Sequence, residues 1–87
     1  MSINKVSSSH FLERAMPILA GLEEGPLQVA RLKRKIEQAY AFSLEPGTFY
    51  ATLAHLERRG WVERARTASP AFTYGLTESG RATLQHY

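Results

Sequence analysis

The chain has 87 residues, of which 44% are hydrophobic and 22% charged, and it contains no cysteine. This length fits one domain, and the composition excludes a disordered chain, disulfides, thiolate metal sites and a cysteine nucleophile. The net charge is only +3, but residues 28–66 carry eight basic and four acidic side chains, whereas residues 1–27 carry two and three. A basic patch in the middle of a small domain favours a polyanionic partner.

Several other classes of protein are excluded by what the sequence lacks. No apolar run approaches the roughly 18 residues of a membrane span, and the N-terminus lacks the apolar core of a secretory signal. We therefore expect a cytoplasmic protein that does not enter a membrane. The three histidines, His10, His55 and His86, lack metal-ligand spacing, and no paired acid/base motif or phosphate-binding glycine loop is present. We expect neither an enzyme nor a metal or cofactor site.

The N-terminal part predicts one amphipathic helix. Residues 1–8 are polar and are interpreted as a flexible arm, followed by a single domain over residues 9–87. Ser9 suits an N-cap, and Pro17 predicts either a kink or a helix start near that residue. Gly25 and Pro26 end the helix. The apolar stripe recurs at helical spacing and consists of Phe11, Ala15, Ile18, Leu19 and Leu22.

The second periodic stretch, from about Gln28 to Tyr40, predicts a helix with a basic outer side. At about 100° per residue, its polar and apolar side chains separate into two faces. The apolar face holds Val29, Leu32, Ile36, Ala39 and Tyr40, and the other face holds Arg31, Arg34, Lys35 and Gln38.

A third helix is predicted over residues 45–59, with Pro46 in its first turn and Gly60 as its stop. Its core stripe is Phe49, Leu53 and Leu56. Its exposed face is predicted to hold Thr48, Ala51, His55 and Arg58, with Tyr50 and Thr52 on the flanks. These exposed side chains are small or able to form hydrogen bonds, so the helix can approach another surface closely.

The C-terminal third predicts a β-hairpin and a short helix. Trp61–Arg66 and Phe72–Leu76 are candidate strands, and residues 67–71 form the turn between them. Thr77 caps a last helix over residues 78–87, which Gly80 weakens. Three helices, a two-stranded antiparallel wing and a short terminal helix make a mainly α winged helix-turn-helix. The aromatic residues expected in the core are Phe11, Phe49, Trp61, Phe72 and Tyr74.

Three segments resemble the PadR-like (phenolic-acid-repressor-like) family of winged-helix transcriptional regulators. Residues 46–63, PGTFYATLAHLERRGWVE, are similar to its recognition helix and the start of its wing. Residues 18–27, ILAGLEEGPL, are similar to its first helix and the Gly-Pro turn. Residues 74–80, YGLTESG, resemble its second wing strand and the segment that follows. The resemblance covers roughly residues 15–84.

The resemblance implies a repressor that binds palindromic double-stranded DNA as a homodimer and responds to a small-molecule effector of unknown identity. Three features depart from the family pattern: Gln28-Val29-Ala30 in place of His-Gly-Tyr, a non-basic wing tip at residues 67–72, and a short C-terminus. The last two features motivate an alternative function, a winged-helix module that binds a protein partner without binding specific DNA.

The DNA-binding function assigns roles to individual residues. Base contacts are predicted for side chains of the third helix, namely Thr48, Tyr50, Ala51, Thr52 and His55. Phosphate contacts are predicted for Gln28, Arg31, Arg34, Lys35, Arg58, Arg59, Arg64 and Arg66. Several of these predictions have a structural alternative. Tyr50 packs on the second helix, and Thr52 lies nearer the buried side and belongs partly to the core. Arg58 and Arg59 stabilise the helix end, and the basic face of the second helix, Arg31, Arg34 and Lys35, is an ordinary solvated face.

Overall fold

Four helices and a small sheet make up the fold. The computed structural model describes the backbone of residues 3–40, 44–66 and 72–86, and the side chains of the first helix from Phe11 onward. The elements in chain order are α1 (Ile3–Gly21), β1 (Leu27–Gln28), α2 (Val29–Tyr40), α3 (Pro46–Arg59), β2 (Val62–Arg66), β3 (Phe72–Leu76) and α4 (Glu78–His86). None of the helices within these described ranges is both long enough and apolar enough to cross a membrane.

The first helix is longer than the sequence predicted. It begins at Ile3, so residues 3–8 are helical and Ser9 is not its N-cap. Pro17 lies inside the helix, which excludes the predicted alternative of a start near that residue. The polar composition of residues 1–8 predicted a flexible arm instead. A helix whose C-terminal half is packed in the core can extend through residues of modest helix propensity, because adding a residue to an existing helix costs less than starting one.

The core lies where α1, α2 and α3 meet the sheet. Leu19 of α1, Leu22 directly after α1 and Leu32 of α2 are completely or almost completely buried. Gly21 permits close packing of the first two helices, because a Cβ there would lie 2.9 Å from Leu32 Cδ1. The predicted stripes of the first and third helices are mostly buried; the buried apolar residues are Ala15, Ile18, Leu19, Leu22, Leu32, Ile36, Phe49, Leu53, Leu56 and Val62. On α2 the predicted apolar face is narrower, since Ala39 and Tyr40 are exposed.

Both ends of α3 have well-formed caps. Glu45 is the N-cap in extended conformation, and its carboxylate accepts the backbone N–H of Thr48 at 2.7 Å. At the other end Gly60 has a φ of 79°. Its N–H donates to Glu57 O and that of Trp61 donates to Leu56 O, both at 3.0 Å. This pair of bonds is the Schellman motif, which fixes the direction in which the chain enters β2.

The sheet has three strands in the order β1-β3-β2, all antiparallel. The wing strands pair from Val62 with Leu76 to Arg66 with Phe72, as the hairpin prediction required. The additional strand β1 was not predicted; it pairs Leu27 with Tyr74 and Gln28 with Thr73. A two-residue strand has no detectable periodicity, which explains the omission. The predicted turn at residues 67–71 lies outside the described residues.

The last helix is held against the end of α3. Thr77 caps α4 as predicted, because its Oγ1 accepts the N–H of Gly80 at 3.0 Å. The same hydroxyl donates to Gly60 O, and Thr77 N donates to Trp61 O at 3.1 Å. Gly80 is buried, and a Cβ there would clash with the Trp61 carbonyl group. The glycine that weakens the helix locally is therefore required for close packing.

Candidate nucleic-acid interface

The outer side of α3 is a surface of small side chains. Ala51 and Ala54 are exposed one helical turn apart, with Arg58 after them on the same side. Tyr50 stands beside them with 52% of its surface exposed, its ring 5.5 Å from that of Phe49. Ala54 belongs to this face and was missed in the prediction from sequence, although its helical spacing from Ala51 and Arg58 indicates the same side of the helix.

Thr48 lies at the first turn of this helix and is exposed. Hydrogen bonds from its hydroxyl and its backbone N–H lower the pKa of Glu45. The carboxylate therefore stays ionised, which suits its position at the positive end of the helix dipole. Glu45 thus positions the Thr48 side chain at the edge of the outer face.

Thr52 does not belong to the exposed face. It is 5% exposed, and its Oγ1 donates to Thr48 O at 2.8 Å. A buried hydroxyl bonded within its own helix cannot reach a base edge, so the prediction of base contact for Thr52 is corrected to a structural role.

His55 is turned towards α1 rather than outward. Its ring centroid is 4.3 Å from that of Phe11, and its Nε2 accepts from Arg59 Nε at 3.4 Å. Burial, followed by the positive charges of Arg59 and Arg58, lowers the pKa of His55. The neutral imidazole therefore packs between two helices, an arrangement that sequence spacing could not reveal because Phe11 is distant in the chain.

The cations on the basic side of α2 differ in whether they are bonded to other parts of the protein. Arg31 and Arg34 are exposed and form no hydrogen bond or ion pair with the described residues. Lys35 is committed to the end of α1, because its Nζ donates to Gly21 O at 2.9 Å and to Glu24 Oε1 at 3.3 Å. All three border a shallow hollow of about 340 Å³, which Leu27 and Gln38 also line.

The two arginines at the end of α3 differ in the same way. Arg58 is exposed and forms no such bond with the described residues. The Arg59 guanidinium lies 4.9 Å from the Phe11 ring centroid and 5.0 Å from that of Trp61. Cation–π contacts and the bond to His55 thus hold Arg59 against α1.

The wing presents a cationic and aromatic face. Arg64 Nε donates to Glu57 Oε2 at 2.9 Å, which raises the pKa of the guanidinium. Arg64 and Arg66 lie 5.3 and 5.1 Å from the ring centroid of Phe72. Phe72 is 39% exposed, so its predicted place in the core is wrong. The antiparallel register explains this surface, since directly paired residues share one face of the sheet.

Gln28 was predicted to be the first residue of the second helix. In the structure it is the last residue of β1. It is half-buried and its backbone pairs with Thr73 of β3. Gln28 therefore directly precedes the first residue of α2.

The chain matches a model of the transcriptional regulator PadR-like family over residues 18–86. It belongs to this family. Among solved structures, a PadR-like transcription factor from Bacteroides fragilis superposes with a TM-score of 0.83 at 22% identity, covering 95% of this chain and 84% of that one. H. salinarum RosR superposes with a TM-score of 0.76 at 26% identity, covering 84% of this chain and 66% of that one.

A further relative is an uncharacterized 37.1 kDa protein from transposon TN4556 of Streptomyces fradiae. It is 33% identical over 70 residues, which are 80% of this chain but only 20% of that protein. The chain thus spans a fifth of this relative and slightly less than two thirds of RosR. The family prediction and the winged-helix fold are confirmed, with one strand more than predicted.

Proposed function

We propose that this PadR-like chain is a sequence-specific DNA-binding repressor that acts in the cytoplasm without catalysing a reaction. The observation that carries the proposal is the outer side of α3, where Ala51 and Ala54 leave the helix backbone accessible. A major groove about 12 Å wide admits such a helix. An alanine methyl packs on a thymine methyl, and the Thr48 hydroxyl and the Tyr50 phenol form hydrogen bonds to base edges or phosphates.

The cations are proposed to contact phosphates in two groups. Arg31, Arg34 and Arg58 are available without breaking any interaction among the described residues, so they are the primary contacts. Lys35, Arg59 and Arg64 are held by neighbouring side chains or carbonyls and can contribute charge from where they lie. Arg66 of the wing and the Gln28 amide are the remaining proposed phosphate contacts. His55 is not proposed to contact DNA, because it packs against Phe11 of α1 on the inner side of α3.

We further propose that two copies bind a palindromic operator, with half-sites about one helical turn apart. Selection of bound sequences from a random DNA library tests the function directly. The expected result is a palindromic consensus, and equal affinity for selected and scrambled DNA would refute the proposal. Copurification of one protein partner with no DNA binding at low salt would instead support the interaction module.

The base-contact assignments have their own test. Thr48→Ala should change which base is preferred at one position of each half-site, because it removes an exposed hydroxyl from the first turn of the helix. Thr52→Val is the matched control, since Thr52 is buried and should leave the selected consensus unchanged. An unchanged consensus for the Thr48 variant would remove Thr48 from the set of reading residues.

A further inference from the structure

An ion pair joins the wing to one side of α3. Glu57 lies on the side of α3 that also carries Tyr50 and Ala54, because residues three and four apart are neighbours on a helix. The Glu57 Oε2 accepts a hydrogen bond from Arg64 Nε of β2 at 2.9 Å. The side chains of Arg64 and Glu57 are 48% and 32% exposed. The guanidinium therefore lies at the surface, next to the face of α3 that is proposed to enter DNA.

Two aromatic side chains of β3 complete the surroundings of this guanidinium. Tyr74 is paired with Arg64 in the antiparallel register, and the side chains of Glu57 and then Tyr74 raise the pKa of Arg64. The ring centroid of Phe72 lies 5.3 Å from Arg64 Cζ, which is a cation–π contact. Contacts from α3 and β3 thus hold the side chain in place, so that it loses less rotamer freedom when it binds a ligand.

These neighbours leave donors of the guanidinium for an outside ligand. The hydrogen bond at Nε leaves the terminal Nη groups, which carry more N–H donors than the single phenol oxygen of Tyr74 can accept. Two parallel N–H groups match the O6 and N7 acceptors of guanine in the major groove. A phosphate also accepts such a fork, but Glu57 offsets the positive charge on which a phosphate contact depends. The surroundings of Arg64 therefore favour a base over a phosphate.

We propose that Arg64 reads a guanine in the major groove beside α3, and that Glu57 is the residue that positions it. The reading role rests on the proposed DNA-binding function, whereas the ion pair does not. Glu57 follows Thr48 by nine residues, or about 13.5 Å along a helix that rises about 1.5 Å per residue. Base pairs are only about 3.4 Å apart, so Arg64 reads a different base pair from Thr48.

Arg64→Lys tests the reading role, because it keeps the charge and removes the planar fork. Selection from a random DNA library should give the native chain a guanine whose preference over other bases falls about 5- to 150-fold in the variant, the range of one bidentate contact. Arg66→Lys, the same change on the same strand, is the control and should leave the consensus unchanged. An unaltered consensus for Arg64→Lys would overturn the reading role and leave DNA binding intact. No consensus for the native chain would refute the proposed function and the reading role together.

Modified guanines identify the groove. 7-Deazaguanine lacks the N7 acceptor of the major groove, whereas inosine lacks the amino group of the minor groove. At the guanine that depends on Arg64, 7-deazaguanine should weaken binding of the native chain about 2- to 10-fold, the range of one hydrogen bond. It should not weaken binding of Arg64→Ala, and inosine should leave the affinity of the native chain nearly unchanged. Any other pattern would overturn the contact in the major groove.

Glu57→Gln tests the positioning role with two measurements that move in opposite directions. Loss of a negative charge should raise the affinity for scrambled DNA, while the guanine preference should fall about two- to fivefold, the range of one exposed ion pair. Glu63→Gln removes the same charge from an exposed residue next to Arg64 that forms no ion pair with the described residues, and it should keep the preference. Full guanine preference in Glu57→Gln, or a loss of affinity for all DNA, would overturn the positioning role.

The ion pair itself is tested without DNA. The NMR signal of Arg64 Nε–H should exchange with water more slowly in the native chain than in Glu57→Gln, because the carboxylate protects it. Urea unfolding checks that the variant is folded. Equal exchange rates would show that Glu57 does not hold Arg64 in solution and would overturn the positioning role even where DNA binding is confirmed.

Discussion

The environment of His55 links its protonation to the stability of the fold. The ring packs on Phe11 and accepts from Arg59, and burial together with Arg59 and Arg58 lowers its pKa. As the pH falls, the unfolded chain binds a proton at His55 near pH 6.5, whereas the folded protein binds it only at a lower pH. The contribution of neutral His55 to the free energy of unfolding is therefore complete above pH 6.5 and is lost as the pH falls through the lower pKa of the folded state.

His55→Gln should remove this part of the pH dependence. We expect the free energy of unfolding of the native chain to fall more steeply between pH 7 and pH 5 than that of the variant. Urea unfolding at several pH values measures both curves, and an NMR titration of the imidazole measures the pKa directly. Parallel curves, or a His55 pKa at or above 6.5, would contradict the prediction.

The same residues show why sequence reasoning places some contact residues well and others poorly. Helical spacing correctly put Thr48 and Ala51 on the exposed face, because that face depends only on α3 itself. It could not show that His55 packs on Phe11 or that Arg59 lies between two aromatic rings. Those contacts depend on where α1 crosses α3, which is a tertiary property.

At the scale of the elements, the end of α3 depends on the conformation of one glycine. Gly60 has a φ of 79°, yet no atom lies within 4 Å of the position that a Cβ would take. Gly60→Ala therefore tests backbone strain without a steric clash and should lower the free energy of unfolding by about 1–2 kcal/mol. Gly60→Asn should cost less, because asparagine tolerates this conformation. Equal urea unfolding curves for the two variants would contradict this explanation.

Gly80 has the opposite requirement, because space rather than conformation restricts it. A methyl group there would meet the Trp61 carbonyl, although alanine favours helix formation by about 1 kcal/mol over glycine. Gly80→Ala should still lower the free energy of unfolding, by roughly 1–3 kcal/mol, since α4 must move away from Trp61. Ser79→Ala, at an exposed neighbouring position, should change stability by less than about 0.5 kcal/mol. A stabilised Gly80 variant would show that this contact is dispensable.

Element prediction succeeded where local chemistry decides and failed where pairing decides. Pro46, Gly60 and Thr77 marked helix boundaries because caps and stops depend on adjacent residues. Strand β1 was missed because Leu27 and Gln28 are extended through pairing with β3, a partner more than 40 residues later in the chain. Because of the same pairing, Gln28 is the last residue of β1 and not, as predicted, the first residue of α2.

At the scale of the whole molecule, the distribution of charge is more informative than its total. The net charge of +3 includes cations that the fold uses internally, such as Lys35 at the end of α1 and Arg64 on Glu57. Arg31, Arg34 and Arg58 are exposed and available, so these three should account for most of the response of DNA binding to salt.

Arg34→Ala tests this distinction. Because one phosphate contact is lost, affinity should fall by a similar factor for selected and scrambled DNA, and the slope of log K against log salt should decrease by about one. Arg81→Ala, which removes the same charge from an exposed position on α4, is the matched control and should leave the slope unchanged. Fluorescence anisotropy between about 50 and 200 mM salt measures both slopes. Equal decreases in the two variants would mean that the DNA responds to net charge alone and not to the basic side of α2.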